Sequence, residues 1–453
     1  MRVFLRALQR GLRASYARFV GAFFLLCMVA NLNPQSSFVK PRVLFVHRRG
    51  GIFGGVANDL ITRHRQFLNH GVGSMLLAYE NTRIVDKMRK EGLPFALIRG
   101  GPRGINMRGS CLLPENPDHI YRAMFEACRK YNLNTIFCLS PEQLQAAKRV
   151  KRSLPIKIIY VEHNQLDYWI SQHADALGAS LNNKRVLPAW ARRIFVSLGN
   201  VDGCIGVNKN ITEALQMYTD VFISGQSKVR HFATIKPFLN DAKFLSFEST
   251  EPRADYFQRV YRIQVDDDTT VIAMVALFYS LKQHEVFIRA LADLMRTGGY
   301  KVKVMLAGNG STMGAIRQLA VRLNVAQHIH FLGFIDDPEA LLHHSDVHVL
   351  SSKIETAGLV TAEAGLMKKP VIVPQNTGTA DLVVPGVTGL CFRNSDSRAL
   401  AASLRTLLDN PKKRLDMGLA GYKHMRQHFS TEEIFKQTMN FLERILNEQP
   451  AGA

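Results

Sequence analysis

The chain has 453 residues, 47% of them apolar, and a formal net charge of +21. That length and apolar content suit two or three domains with cores of their own and exclude a disordered chain. The six cysteines (Cys27, Cys111, Cys128, Cys138, Cys204, Cys391) form no CxxC pair, which excludes a zinc ribbon or disulfide framework and fits reduced core thiols.

The charge is divided unevenly. Residues 1–240 carry 34 Lys+Arg against 14 Asp+Glu, and the remainder 24 against 23. A basic half joined to a nearly neutral half implies two surfaces with different partners, one of them polyanionic.

At the N-terminus no acid precedes Asp59, and Arg2, Arg6, Arg10, Arg13 and Arg18 lead into FVGAFFLLCMVANL at 19–32. Fourteen residues fall short of the roughly 20 that a spanning helix needs. A cleaved signal peptide, an organellar transit peptide and a membrane-associating anchor all fit this order. The anchor also fits the basic neighbourhood, and residues 1–40 are assigned to such a membrane-associating or targeting segment.

RVLFVH (42–47) reads as a buried strand, GGIFGG (50–55) as a glycine loop, and a helix follows from about Val56. SMLLAY, FALIR, NTIFCLS, KIIYVEH and DGCIGVN continue the strands, with helical stretches between most of them. The pattern breaks at TIKPFLNDAKFLSFESTEPRADYF, the predicted linker. TVIAMVALF, KVKVMLAG, HIHFLGF, DVHVLSS and KPVIVPQ then form a second series, and the chain ends in helices. Apolar runs alternating with amphipathic helices predict parallel sheets covered on both faces. The expected architecture is α/β: two Rossmann-like doubly wound domains, 41–240 and 241–430, facing a cleft, with a helix and tail over 431–453 crossing back to the first domain.

Within the second series, Glu355 and Glu363 stand with seven residues between them in SSKIETAGLVTAEAGL. Placed after a strand, this stretch predicts a helix from near Ala357 whose first N–H groups, on Ala357, Gly358, Leu359 and Val360, lack helical partners. Such a terminus binds phosphate, and Gly358 lets an anion approach the backbone. Glu363, about 9 Å along the helix, is suited to a ribose diol. Glu355 faces whatever hangs from the far phosphate, so hydroxyl donors and the positive end of the helix would keep both carboxylates ionised.

This segment resembles the donor-site signature of retaining GT-B glycosyltransferases of the family 4-like group, which use nucleotide sugars without a metal. Ser352, Glu355, Gly358, Glu363 and Ala364 match the pattern, followed by KPVIVP, TGTADLV and PGVTGLCF. LKQHEVFIRAL resembles the family's lysine-plus-helix segment, with Lys282 at the phosphates. LAGNGS, containing Gly308, resembles its glycine turn. IHFLGFIDD, containing Phe334, resembles the strand whose end meets the nucleobase.

GGIFGG, with Gly51 and Gly54, resembles the loop that shapes the acceptor pocket and approaches the donor phosphates; His163 resembles the cleft histidine that contacts the transferred sugar. Leu277 departs from the family, which usually has an arginine there; Gln283 replaces a common glycine.

The resemblance implies catalytic roles for Glu355, His163 and Lys282. It also implies donor contacts from Gly51, Gly54, Gly308, Phe334, Lys282, Glu355, Thr356, Ala357, Gly358, Leu359, Val360 and Glu363. No metal or cofactor is implied. The expected partners are a nucleoside-diphosphate sugar, an anionic, lipid-linked or polysaccharide acceptor, and a membrane surface met from the cytoplasmic side; no nucleic acid is expected. Two alternatives share the fold: a sugar-nucleotide 2-epimerase, and a non-catalytic polyanion- or membrane-binding protein.

Overall fold

The computed structural model describes residues 39–47, 55–80, 82–98, 117–163, 196–223, 229–336 and 338–448. The basic and apolar N-terminal segment, the loop with Gly51 and Gly54, Arg48, Arg49 and Asn164 lie outside the described residues. Two units separate: residues 1–40 with 446–453, and residues 41–445. In the first, the Val39 N–H donates to Asn447 Oδ1 at 3.0 Å.

The second unit holds two sheets. The first contains β1 (Val43–Val46), β2 (Ser74–Tyr79), β3 (Phe95–Ile98), β4 (Thr135–Cys138), β5 (Lys157–Glu162), β6 (Gly203–Gly206) and β7 (His231–Thr234). Their order is β3-β2-β1-β4-β5-β6-β7, with every pairing parallel. Its helices are α1 (Gly55–Asn69), α2 (Arg83–Lys90), α3 (Pro117–Lys130), α4 (Pro141–Lys151) and α5 (Lys209–Phe222). β1 and β4 are buried along their whole length, which is why VLFV and TIFC read as continuous apolar runs.

Two helices, α6 (Asp241–Leu245) and α7 (Arg253–Tyr261), occupy the predicted linker. The second sheet contains β8 (Thr270–Val275), β9 (Val302–Ala307), β10 (Ile329–Gly333), β11 (Val347–Val349), β12 (Val371–Pro374) and β13 (Gly389–Phe392). It is also parallel, in the order β10-β9-β8-β11-β12-β13. Around it lie α8 (His284–Arg296), α9 (Met313–Arg322), α10 (Pro338–His343), α11 (Leu359–Leu366), α12 (Ser397–Leu408) and α13 (Pro411–His428).

The last helix, α14 (Thr431–Leu446), returns to the first sheet: Ile434, Phe435, Phe441, Leu442 and Ile445 join its core. A Cβ on Gly203 of β6 would stand 2.6 Å from Ile445, so that glycine makes room for the returning helix. Among the described residues no helix is long and apolar enough to cross a membrane.

Each sheet reverses its strand order once, between β1 and β4 and between β8 and β11. Parallel α/β sheets bind ligands beyond the strand carboxyl ends at such reversals. The two edges approach each other: Asn208, just past β6, donates from Nδ2 to the Thr356 carbonyl at 3.0 Å. A Cβ on Gly55, which opens α1, would meet Leu359 Cδ1 at 3.5 Å.

Candidate active site

Lys282 and Glu355 stand on the loops after β8 and β11, the two strands at the reversal. Lys282 Nζ lies 2.5 Å from Glu355 Oε2, and both side chains are largely covered, 26% and 15% exposed. Ser352 Oγ adds a 3.3 Å hydrogen bond to the same oxygen. The loops are tied by backbone groups: Ser351 Oγ lies 3.0 Å from the carbonyls of Lys282 and Gln283, and the Lys353 N–H donates to the Leu281 carbonyl at 2.8 Å. A cation and a carboxylate are thereby fixed together at one sheet edge.

Gln283, where the family often has glycine, takes φ 45° and ψ 46°. Its side chain bonds Ser395 Oγ at 2.9 Å on the surface. The left-handed conformation costs a non-glycine residue about 1 kcal/mol. Gln283→Gly is therefore expected to raise the Tm by a few degrees; a lower Tm in thermal unfolding would show that the Ser395 bond outweighs the strain.

The helix opening differs from the sequence expectation. It starts at Leu359, with Gly358 left-handed (φ 56°) at its N-cap, so Ala357 belongs to the preceding turn. The cause is packing: a Cβ on Gly358 would fall 2.4 Å from Thr379 Oγ1 and one on Gly378 1.9 Å from the Thr356 carbonyl oxygen, so two glycines let the strands' loops close on each other. Glu363 consequently lies only about 6 Å along the helix from its start. Among the described residues, none accepts a hydrogen bond from the N–H groups of Ala357, Gly358, Leu359 or Val360. Leu359 and Val360 are half-buried, and Thr356 is buried.

Glu363 is half-buried, and burial pushes its carboxyl up to about 7, with Lys243 opposing and Glu339 reinforcing the shift. Desolvation thus favours the proton on Glu363, against which the hydroxyl donors expected from a sugar nucleotide would have to act.

Gly308, past β9, has φ 141°, and a Cβ there would sit 2.1 Å from the Ala276 carbonyl oxygen. Its N–H bonds the Gly333 carbonyl at 2.7 Å, bringing the glycine turn beside Phe334. The Phe334 ring is 42% exposed, and Arg83 of α2 lies over it, 5.6 Å from the centroid. Leu277, after β8, is half-buried and brings no charge.

His163 follows β5 and is only 8% exposed. Its Nε2 is 3.5 Å from Asp59 Oδ2, and burial outweighs Asp59 in keeping its pKa below the usual range, so the ring is neutral at pH 7. Asp59 also pairs with buried Arg63 at 3.3 Å and accepts the Phe238 N–H at 2.5 Å. Sequence reasoning missed Asp59 and Asn208, and spacing offered no signal, because their partners are 104 and 148 positions away in the chain.

Among the described residues no group of three or more metal-ligating side chains occurs.

This edge, with its lysine, two carboxylates and open helix terminus, falls in a segment with relatives. Residues 261–424 match the family model "Glycosyl transferases group 1". Over that segment, less than half of its length, the chain is similar to this family. The family segment contains Lys282, Gly308, Phe334, Glu355, Gly358 and Glu363, whereas His163 lies outside it.

The chain is 23% identical over 219 residues to N-acetyl-alpha-D-glucosaminyl L-malate synthase of Bacillus anthracis, covering 48% of this chain and 55% of that protein. It is 28% identical over 186 residues to the GDP-mannose-dependent monoacylated alpha-(1-6)-phosphatidylinositol monomannoside mannosyltransferase of Corynebacterium glutamicum, covering 39% and 48%. It thus spans about half the length of the curated relatives it matches. Among solved structures, Anabaena HepE in complex with UDP and glucose aligns with a TM-score of 0.67 and 18% identity, over 89% of this chain and 99% of that one. That likeness shows the fold, a two-domain GT-B architecture.

Proposed function

We propose that the protein transfers a hexose-like unit from a nucleoside-diphosphate sugar to an acceptor hydroxyl, with retention and without a metal. One observation carries the reading: the Lys282–Glu355 pair stands on the loop that leads into α11, whose first N–H groups have no acceptor among the described residues. Leaving-group departure is the difficult step, because charge builds on the diphosphate as the sugar becomes oxocarbenium-like. Lys282 and the helix terminus, fixed in advance, stabilise that charge. Glu355 orients the sugar hydroxyls, Glu363 accepts from the ribose diol, and His163 meets the transferred sugar from the first domain. Thr356, Ala357, Gly358, Leu359 and Val360 line the phosphates, with Phe334 and Gly308 toward the base; Gly51 and Gly54 are assigned to the donor phosphates on the sequence pattern alone.

One of the relatives is a phosphatidylinositol monomannoside mannosyltransferase, and residues 1–240 are strongly basic. Both support an anionic, lipid-linked or polysaccharide acceptor met at a membrane from the cytoplasmic side.

Thermal unfolding with UDP, GDP and ADP tests the donor site. A ligand at a hundred times its Kd stabilises by about 2.7 kcal/mol, so one diphosphate is expected to raise the Tm. No response to any of the three would favour a non-catalytic polyanion-binding protein. Incubation with the matching nucleotide sugars, followed by mass detection, separates transfer from 2-epimerisation.

A further inference from the structure

The surroundings of Glu363 hold a lysine and a second acid that the donor reading leaves unused. Lys243, on α6, places Nζ 2.9 Å from Glu339 Oε2 of α10 and donates to the Asp336 carbonyl at 3.2 Å. Helices α6 and α10 both pack on α11. Glu339 is 6% exposed, and its Oε2 has the ion pair but no aligned hydrogen bond among the described residues.

We propose that Lys243 and Glu339 are positioning residues for Glu363, one cation and one anion whose balance sets the charge with which Glu363 meets the donor ribose. The inference rests on the assignment of Glu363 to that ribose.

Glu339 pairs directly with the Lys243 ammonium, and the helices that carry the two residues both pack on the helix of Glu363. A ribose diol donates two hydrogen bonds, which only the ionised form of Glu363 accepts fully. The field of Lys243 favours that form, and the charge of Glu339 opposes it. Glu363 is the sole charged residue of α11, α13 presents Met425 to Gly365, and β12 is the apolar VIVP. Lys87 of α2 faces Lys243 from the first domain. Since Lys243 belongs to α6, just past the first sheet, the segment joining the two sheets supplies the counter-charge for the donor pocket.

The test measures the Kd of the nucleoside diphosphate that stabilises the protein, UDP first, by calorimetry between pH 5.5 and 8.5. The 2′,3′-dideoxy analogue serves as a control for titration of the phosphates. In the wild type, ribonucleotide affinity is expected to be full above about pH 7 and to fall below it, because burial raises the Glu363 carboxyl to about 7; the dideoxy analogue lacks this limb. Lys243→Met moves the limb's midpoint up by roughly half a unit or more, Glu339→Gln moves it down, and Lys243→Arg restores it.

A merely structural role for the pair would weaken binding without opposite displacements. Coincident midpoints in the two variants overturn the proposal. Should Lys243→Met fail to fold, Glu339→Gln decides alone: a downward shift supports the proposal, and no shift overturns it. Glu363→Gln separates the two readings. Unchanged ribonucleotide binding in that variant removes the donor-site assignment itself, whereas a lost limb there with unmoved limbs in the other two removes only the positioning pair.

Discussion

Replacing Lys282 by methionine is expected to lower kcat/KM for the nucleotide sugar by two to three orders of magnitude, the usual effect of removing one preorganised stabiliser of developing charge. The size follows from the geometry. Lys282 Nζ sits 2.5 Å from Glu355 Oε2 in a largely covered position. On the proposed assignment, deleting it removes a cation from the diphosphate, and it leaves Ser352 at 3.3 Å as the remaining partner of the Glu355 carboxylate among the described residues. An unpaired anion there repels the phosphates in the ground state and more strongly as the leaving group forms. Leu277, half-buried after β8, offers no second charge. Steady-state kinetics with the donor identified by thermal shift checks this, and a kcat/KM within threefold of wild type would remove Lys282 from the site. Glu355→Gln, which keeps the shape but not the charge, is expected to lower kcat more than nucleotide affinity if, as proposed, Glu355 addresses the sugar and not the nucleoside.

The doubly wound architecture was legible because parallel strands buried on both faces must be continuously apolar: VLFV, TIFC and VIVP declare themselves. The strands missed were those that break this rule. β7, HFAT, lies at the sheet edge with three half-buried residues and one exposed. β13, GLCF, is the other sheet's edge and has two half-buried residues. The linker was read as a break in pattern, yet Phe244, Tyr256 and Phe257 of α6 and α7 join the second core; short helices with few apolar positions leave little periodicity to detect.

At the candidate site, the residue types were visible and the local backbone was not. Helical pattern extends to Ala357, but the tertiary contact between Gly358 and Thr379 winds the chain left-handed before the helix starts. Likewise Glu363 was legible as a carboxylate on a helix, while the burial that raises its pKa, and the smaller opposing influences of Lys243 and Glu339, come from tertiary packing, the latter two 120 and 24 positions away in the chain.

Gly378→Ala is expected to cost about 3 kcal/mol, at the upper end for forcing one methyl group into a filled space. That corresponds to a fall in Tm of about 6–12 °C at the sensitivity of a medium-sized domain. The added Cβ would stand 1.9 Å from the Thr356 carbonyl oxygen, 2.5 Å from its carbon and 3.0 Å from the Glu355 oxygen. All three are backbone atoms, so no rotamer change relieves the clash, and the turn carrying Glu355 must move. Two hydrogen bonds hold that turn: the Gly378 N–H to the Glu355 carbonyl at 2.7 Å, and Asn208 Nδ2 to the Thr356 carbonyl at 3.0 Å. The second joins the two sheets, so the displacement loosens their approach as well as misplacing the carboxylate, and turnover should fall further than the loss of folded protein explains. Gly386→Ala is the control. It has φ 79° with nothing within 4 Å of its would-be Cβ, so it bears only the conformational cost of about 1 kcal/mol and should leave turnover per folded molecule unchanged. Equal Tm losses in the two variants would mean that the Thr356 turn yields freely, and the donor edge would then not be the rigid feature on which leaving-group stabilisation depends.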